Sequence, residues 1–166
     1  MKTVPGLVLV GLGALSQVAV AQEHMCKGPQ LGTWKLKSYT AEYIDTHQVI
    51  HPYGEHAEGY LNYAPNCRMS AIIVSGDRKP PAGDVPNEAE KVQLFSTVLA
   101  YAGTYTVEDG RISHHVDISW NQAWTGTTQV RELKIEGDTL QIRSVPAKNP
   151  RDGRVSSSTL VWTRIR

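Results

Sequence analysis

Between Arg111 and Trp120 the chain reads RISHHVDISW, and apolar and polar positions take turns. Side chains on a strand alternate between its two faces, so Ile112, His114, Val116, Ile118 and Trp120 share one face, and Ser113, His115, Asp117 and Ser119 the other. The apolar face is the one expected to be buried. His114 is therefore predicted to point inward, and His115 outward beside Asp117. The same period of two runs through TWKLKSYTAEY (33–43), EGYLNYAP and RMSAIIVS. GTYTVEDGRISHHVDISW divides into two strands at Asp109-Gly110, and TTQVRELKIEGDTLQIRSV divides at Gly137-Asp138. RVSSSTLVWTRIR supplies the last strand, for about eight in all. One segment, Val85 to Gly103, breaks the alternation. Asn87 suits an N-cap, Glu88 and Glu90 the first turn, and Gly103 a position beyond the end. Val92, Phe95, Val98 and Leu99 recur at helical spacing, which predicts one helix between the third and fourth strands.

A sheet of this many antiparallel strands must hide its edges, and closing into a barrel does so. The short hairpin turns favour up-and-down order, with an open sandwich as the alternative. At this strand number the interior is either filled by side chains or holds one small ligand.

The ends and the charges narrow the picture. MKTVPGLVLVGLGALSQVAVAQ has Lys2 ahead of an apolar stretch and then Ala19-Val20-Ala21, the pattern of a secretory signal peptide over residues 1–21 cut after Ala21. An uncleaved anchor is the alternative, though the run is short for a span and broken by Pro5, Gly11 and Gly13. Cleavage leaves one domain, residues 22–166, in a secreted or periplasmic protein. Lys and Arg total 17 against 16 Asp and Glu, a balance that argues against nucleic acid or anionic membrane as partner. Export makes Cys26 and Cys67 candidates for a disulfide. In an up-and-down barrel Cys26, before the first strand, and Cys67, in the turn between the second and third, lie at the same lower end. A bridge there would pin the N-terminal segment across the barrel floor.

Several stretches resemble the lipocalin-like domain family of small bacterial and fungal proteins. LGTWKL (31–36) contains the G-x-W that opens the first lipocalin strand, and LVWTRIR places Arg164 where lipocalins carry a basic residue packed over that tryptophan. EGYLNYAP, RMSA, AYAGTYTV, SHHVDISW, WTGTTQVRELKIEGDTLQI and VWTR follow in the family's order, so the resemblance covers Leu31 to Arg164. It implies an all-β, calyx-like barrel and no particular reaction, much of the family being uncharacterised. Glycine is expected in the turn where this chain has Cys67.

Function then has to be read from inward-facing residues. On the strand after the NQAWTG loop, Leu133 and Ile135 mark the interior parity, which also turns Thr127, Gln129 and Arg131 inward. His114 is expected at comparable depth. A buried arginine needs a partner. Candidates within the chain are Glu42, Tyr60, Tyr63, Tyr105 and Ser144. Three alternatives stay open: a satisfied internal network, a bulge that turns Arg131 outward, or a ligand acceptor. Trp34 and Trp162 read as core. Trp120 and Trp124 flank an upper loop, where they suit an apolar ligand or packing against the helix. The expected ligand-binding set is His114, Gln129, Arg131, Trp120, Trp124 and Tyr60, for a small, largely apolar or amphipathic molecule with an acceptor group. The alternative is a cofactor-independent isomerase, cyclase or dehydratase. His114 would then be general acid or base, and Arg131 or Tyr105 would stabilise developing negative charge. No cofactor and no metal site is expected. His114 and His115 diverge, and His47, His51 and His56 lie in a loop broken by Pro52 and Gly54. A third reading, a module acting through its outer surface, would leave the interior solid.

Overall fold

The computed structural model describes residues 25–148 and 152–166. The expected leader, its cut after Ala21, and His24 lie outside the described residues. Ten strands form one antiparallel sheet: β1 (Gly32–Tyr43), β2 (Val49–Ile50), β3 (Glu58–Tyr63), β4 (Arg68–Val74), β5 (Val98–Glu108), β6 (Arg111–Ser119), β7 (Thr128–Glu136), β8 (Thr139–Ser144), β9 (Ala147–Lys148) and β10 (Val155–Arg164). β2 and β9 are two-residue additions. The other eight follow one another in chain order, and β1 pairs with β10 from Trp34↔Arg164 to Tyr43↔Ser156, which closes the barrel. At the Asp109-Gly110 hairpin both residues take left-handed φ, 48° and 72°, as a tight two-residue turn demands.

The inward parity builds the core. Trp34, Leu36, Leu61, Tyr63, Met69, Ile73, Ile112, Leu140, Ile142 and Trp162 are buried inside the cylinder. At the lower end Trp34 donates its indole N–H to the Gln30 carbonyl at 2.8 Å. The Arg164 guanidinium lies 4.0 Å over the Trp34 ring and donates to the Leu31 and Pro29 carbonyls. Cys26 and Cys67 are bridged across a separation of 41 residues. Cys67 takes φ 60°, the left-handed conformation that explains why glycine would suit this turn.

Two expectations are corrected. The helix, α1, spans only Glu88–Ser96 and ends at Thr97, so Val98 and Leu99 belong to β5 and Gly103 lies within that strand. Asn87 caps it as expected, in a capping box with Glu90. None of its residues is buried, and Val92 and Phe95 are exposed. The apparent helical period arose where a short helix runs straight into an alternating strand.

The second correction concerns Ile118, which points outward and is 67% exposed. The β5–β6 register runs Ala102↔Ile118 and then Gly103↔Val116, so Asp117 is an extra residue. Such a bulge inverts the parity beyond it. Gly103 makes the bulge possible: a Cβ there would sit 1.9 Å from the His115 carbonyl oxygen. Outside the barrel Asp117 pairs with Arg68 at 2.7 Å rather than with His115, which contacts Thr128.

Candidate functional site

The upper half of the barrel is not filled. A cavity of about 690 Å³ opens there. β1, β4, β5, β7, β8, β9 and β10 contribute wall residues, and Pro52 and Tyr53, Phe95 and Ser96 at the end of α1, and Trp120, Asn121 and Trp124 after β6 contribute rim residues. One wall is a line of aromatic rings. Phe95 and Trp120 are 6.4 Å apart, Trp120 and Trp124 4.9 Å, and Trp124 and Tyr101 5.8 Å. Tyr39 and Tyr53 pair at 5.3 Å among the other lining residues.

The polar lining is one-sided in charge. Arg131 and Lys148 line the cavity, and among the described residues no Asp or Glu does. Arg131 reaches the interior because β7 keeps its period of two, with Gln129, Arg131, Leu133 and Ile135 on the inner face. Its guanidinium donates to the Gln129 side-chain oxygen at 3.4 Å, a long contact. It takes part in none of the ion pairs among the described residues. The expected partners are engaged elsewhere or unsuited. Glu42 faces His47, the Tyr105 hydroxyl donates to the Ala64 carbonyl, and Ser144, which lies across the strand from Arg131, is neutral. The interior thus holds a cation with no carboxylate beside it among the described residues.

His114 is inward, 1% exposed and opposite Gln129 in the strand register. It does not line the cavity but sits behind Tyr101, which does. Nδ1 of the imidazole is 2.8 Å from the Tyr101 hydroxyl, and Nε2 is 2.6 Å from the Tyr63 hydroxyl. Burial, and then the Arg131 and His115 charges, hold the imidazole well below its ordinary titration range, so it is neutral at physiological pH. Burial raises the hydroxyls of Tyr63 and Tyr101, against the opposing pull of Arg131. With both ring nitrogens occupied by tyrosines, His114 offers no free nitrogen to a molecule in the cavity. This corrects its expected direct contact with a ligand or substrate.

Two further expectations are corrected. Tyr60 lies on the outer wall, 46% exposed, because Leu61 and Tyr63 take the inner parity of β3. Tyr105 is inward but below the cavity, packed on Tyr63 at 4.8 Å. Gln129, Arg131, Trp120 and Trp124 do line the cavity. Trp120 does so from the loop after β6 rather than through the strand's parity. The sequence pattern does not single out Tyr101 or Lys148, and it offers Tyr63 as a partner for Arg131 rather than for His114. The run Leu99, Tyr101, Gly103, Tyr105, all buried, carried the signal for Tyr101, but the helical reading of that stretch hid it. Among the described residues no cluster of His, Cys, Asp and Glu is placed to hold a metal ion.

Residues 31–165 match the model of the lipocalin-like domain. The chain belongs to the lipocalin-like domain family. Within this lipocalin-like chain, 55 residues are 40% identical to the 4'-hydroxy-3'-methoxypropiophenone carrier protein ppsC of Aspergillus oryzae. That match covers 28% of this chain and 50% of the relative, so the chain spans about half of that protein's length. A lipocalin-like protein from Bacteroides uniformis is similar in structure, with 13% identity and a TM-score of 0.44, over 83% of this chain and 100% of that one. An uncharacterized protein from Bacteroides eggerthii is similar at 13% identity and a TM-score of 0.40, over 82% and 99% of the two chains.

Proposed function

We propose that this lipocalin-like protein binds a small molecule with an aromatic or apolar body and an anionic or carbonyl acceptor, and carries it in the barrel cavity. The observation that carries this reading is Arg131: an inward guanidinium, with no carboxylate partner among the described residues, on the wall of an aromatic-lined cavity of about 690 Å³. A cavity of that size suits a small ligand, and a few polar groups on an apolar wall set its orientation. Lys148 at the rim adds to the preference for negative charge. The partial match to a propiophenone carrier supports an aromatic ligand with a carbonyl. Among the described residues no helix is long and apolar enough to cross a membrane. The disulfide is compatible with the secretory leader expected over residues 1–21, and the proposed place of action is outside the cytoplasm.

The test uses 4-hydroxy-3-methoxycinnamate and its methyl ester as probes, read by quenching of Trp120 and Trp124. Loss of a charge-assisted hydrogen bond is worth roughly 1.5–3 kcal/mol, or about 10- to 100-fold in Kd. Arg131→Ala is expected to weaken the acid by that factor and the ester by much less. Equal affinities of acid and ester in both proteins would overturn the assignment of Arg131.

A further inference from the structure

We infer that Tyr101 presents its hydroxyl hydrogen to the cavity as a fixed donor for a ligand carbonyl or carboxylate oxygen, its direction set by the His114–Tyr63 pair behind it. The inference deepens the proposed function and rests on it.

It follows from counting hydrogens. A neutral imidazole carries one N–H and one lone-pair nitrogen. The two tyrosine hydroxyls bring two hydrogens more. Two hydrogen bonds join the three groups, Tyr101 to Nδ1 and Tyr63 to Nε2. Two of the three hydrogens are used, and one hydroxyl hydrogen is left over. Which hydroxyl holds it depends on the tautomer. If Nε2 carries the proton, it donates to Tyr63, Tyr101 donates to Nδ1, and the spare hydrogen sits on Tyr63. That hydroxyl is buried among Tyr105, His114 and the core, outside the cavity lining, and among the described residues its hydrogen would find no acceptor, its one hydrogen bond there being to His114. If Nδ1 carries the proton, Tyr63 donates to Nε2, Nδ1–H donates to Tyr101, and the spare hydrogen sits on Tyr101. Tyr101 alone of the three lines the cavity, so water or a ligand can take that hydrogen. A buried donor without an acceptor costs roughly 1–3 kcal/mol, which selects the second arrangement.

The consequence is directional. Tyr101 already accepts from His114, so it offers its remaining hydrogen outward. The cavity wall therefore holds a neutral donor at Tyr101 and a cationic donor at Arg131. A carbonyl or carboxylate fits that pair, and the aromatic line from Tyr101 to Phe95 suits an aryl group attached to it. An aryl ketone or aryl carboxylate is the ligand class so defined. His114 acts here as a positioning residue.

The test has two arms on the folded protein. In the ligand-free wild type, long-range proton–nitrogen NMR of the imidazoles, with His114→Gln used for assignment, distinguishes the tautomers. A protonated Nδ1 at His114 is expected, and a protonated Nε2 would overturn the inference. In the second arm, 4'-hydroxy-3'-methoxypropiophenone is compared with 2-methoxy-4-propylphenol, the same body without the ketone oxygen. Tyr101→Phe is expected to weaken the ketone about tenfold and leave the propylphenol unchanged, as one lost hydrogen bond implies. Equal effects on both compounds, or none on the ketone, would overturn it. A wild type that binds neither compound would count against the carrier reading instead, and the nitrogen signals would still decide the direction of the hydroxyl.

Discussion

A neutral histidine at the centre of a barrel ties stability to pH. Burial keeps His114 unprotonated in the folded state, whereas an unfolded histidine takes up a proton as pH falls through about 6.5. The unfolded state then binds more protons, so stability is complete above that pH and is lost as pH falls below it. The slope approaches ~1.4 kcal/mol per pH unit. Asp45 and Asp152 are held low by Arg154 and by Tyr43 and titrate further down, outside this window. Urea denaturation at pH 7.5, 6.5 and 5.5 should show the decline, and His114→Gln should flatten it by about one proton's worth. An unchanged slope in the variant would place the effect elsewhere. Arg131 gives a second prediction at this scale. A charge on the inner wall without a carboxylate partner costs folding free energy, so Arg131→Met should keep or raise the melting temperature while lowering affinity for an acidic ligand. The inward direction of His114 and Arg131 was legible from a period of two. The tyrosines that clamp His114 were not, because Tyr63, Tyr101 and His114 meet across β3, β5 and β6, and the pattern of one strand does not reveal its neighbours.

Elements were legible where one period held for their whole length and illegible where it changed. β6 alternates cleanly to Val116, and then the extra residue Asp117 sends Ile118 outward. That bulge depends on Gly103, whose missing side chain lets the His115 carbonyl approach. Gly103→Ala is therefore expected to destabilise the fold by more than about 2 kcal/mol, whereas Gly110→Asn in the exposed hairpin turn, a residue tolerant of positive φ, should cost far less. Denaturant midpoints of the two variants check this, and similar midpoints would contradict it. α1 presents the opposite case. Its capping box holds the start, yet it buries no residue, so its stability owes little to the core. Hydrogen exchange should find the α1 amides opening well before those of β5 and β6. Phe95 and Ser96, at the helix end, line the cavity, so ligand binding should slow that exchange.

For the molecule as a whole, closure by β1 against β10 and the bridge at the floor leave the upper end to differ from the lower. Below, Trp34, Arg164 and the disulfide seal the barrel; above, loops frame an aromatic-walled cavity. A disulfide closing a loop of this length is worth roughly 4 kcal/mol in the chain-entropy model. Replacing the pair as Cys26→Ser with Cys67→Gly should lose about 1 kcal/mol less than Cys26→Ser with Cys67→Ser, since glycine takes the left-handed conformation without strain. The fold, its lower closure and the inward cation were all written in local patterns. The emptiness of the upper half was not, because it depends on side-chain volumes summed over seven strands. The most direct measurement is a crystal structure of the protein soaked with 4'-hydroxy-3'-methoxypropiophenone. Density for the ring is expected against Trp124 and Tyr101, with the ketone oxygen within hydrogen-bond reach of the Tyr101 hydroxyl or the Arg131 guanidinium. A filled upper barrel, or the compound bound only on the outer wall, would contradict a carrier whose cargo rides inside.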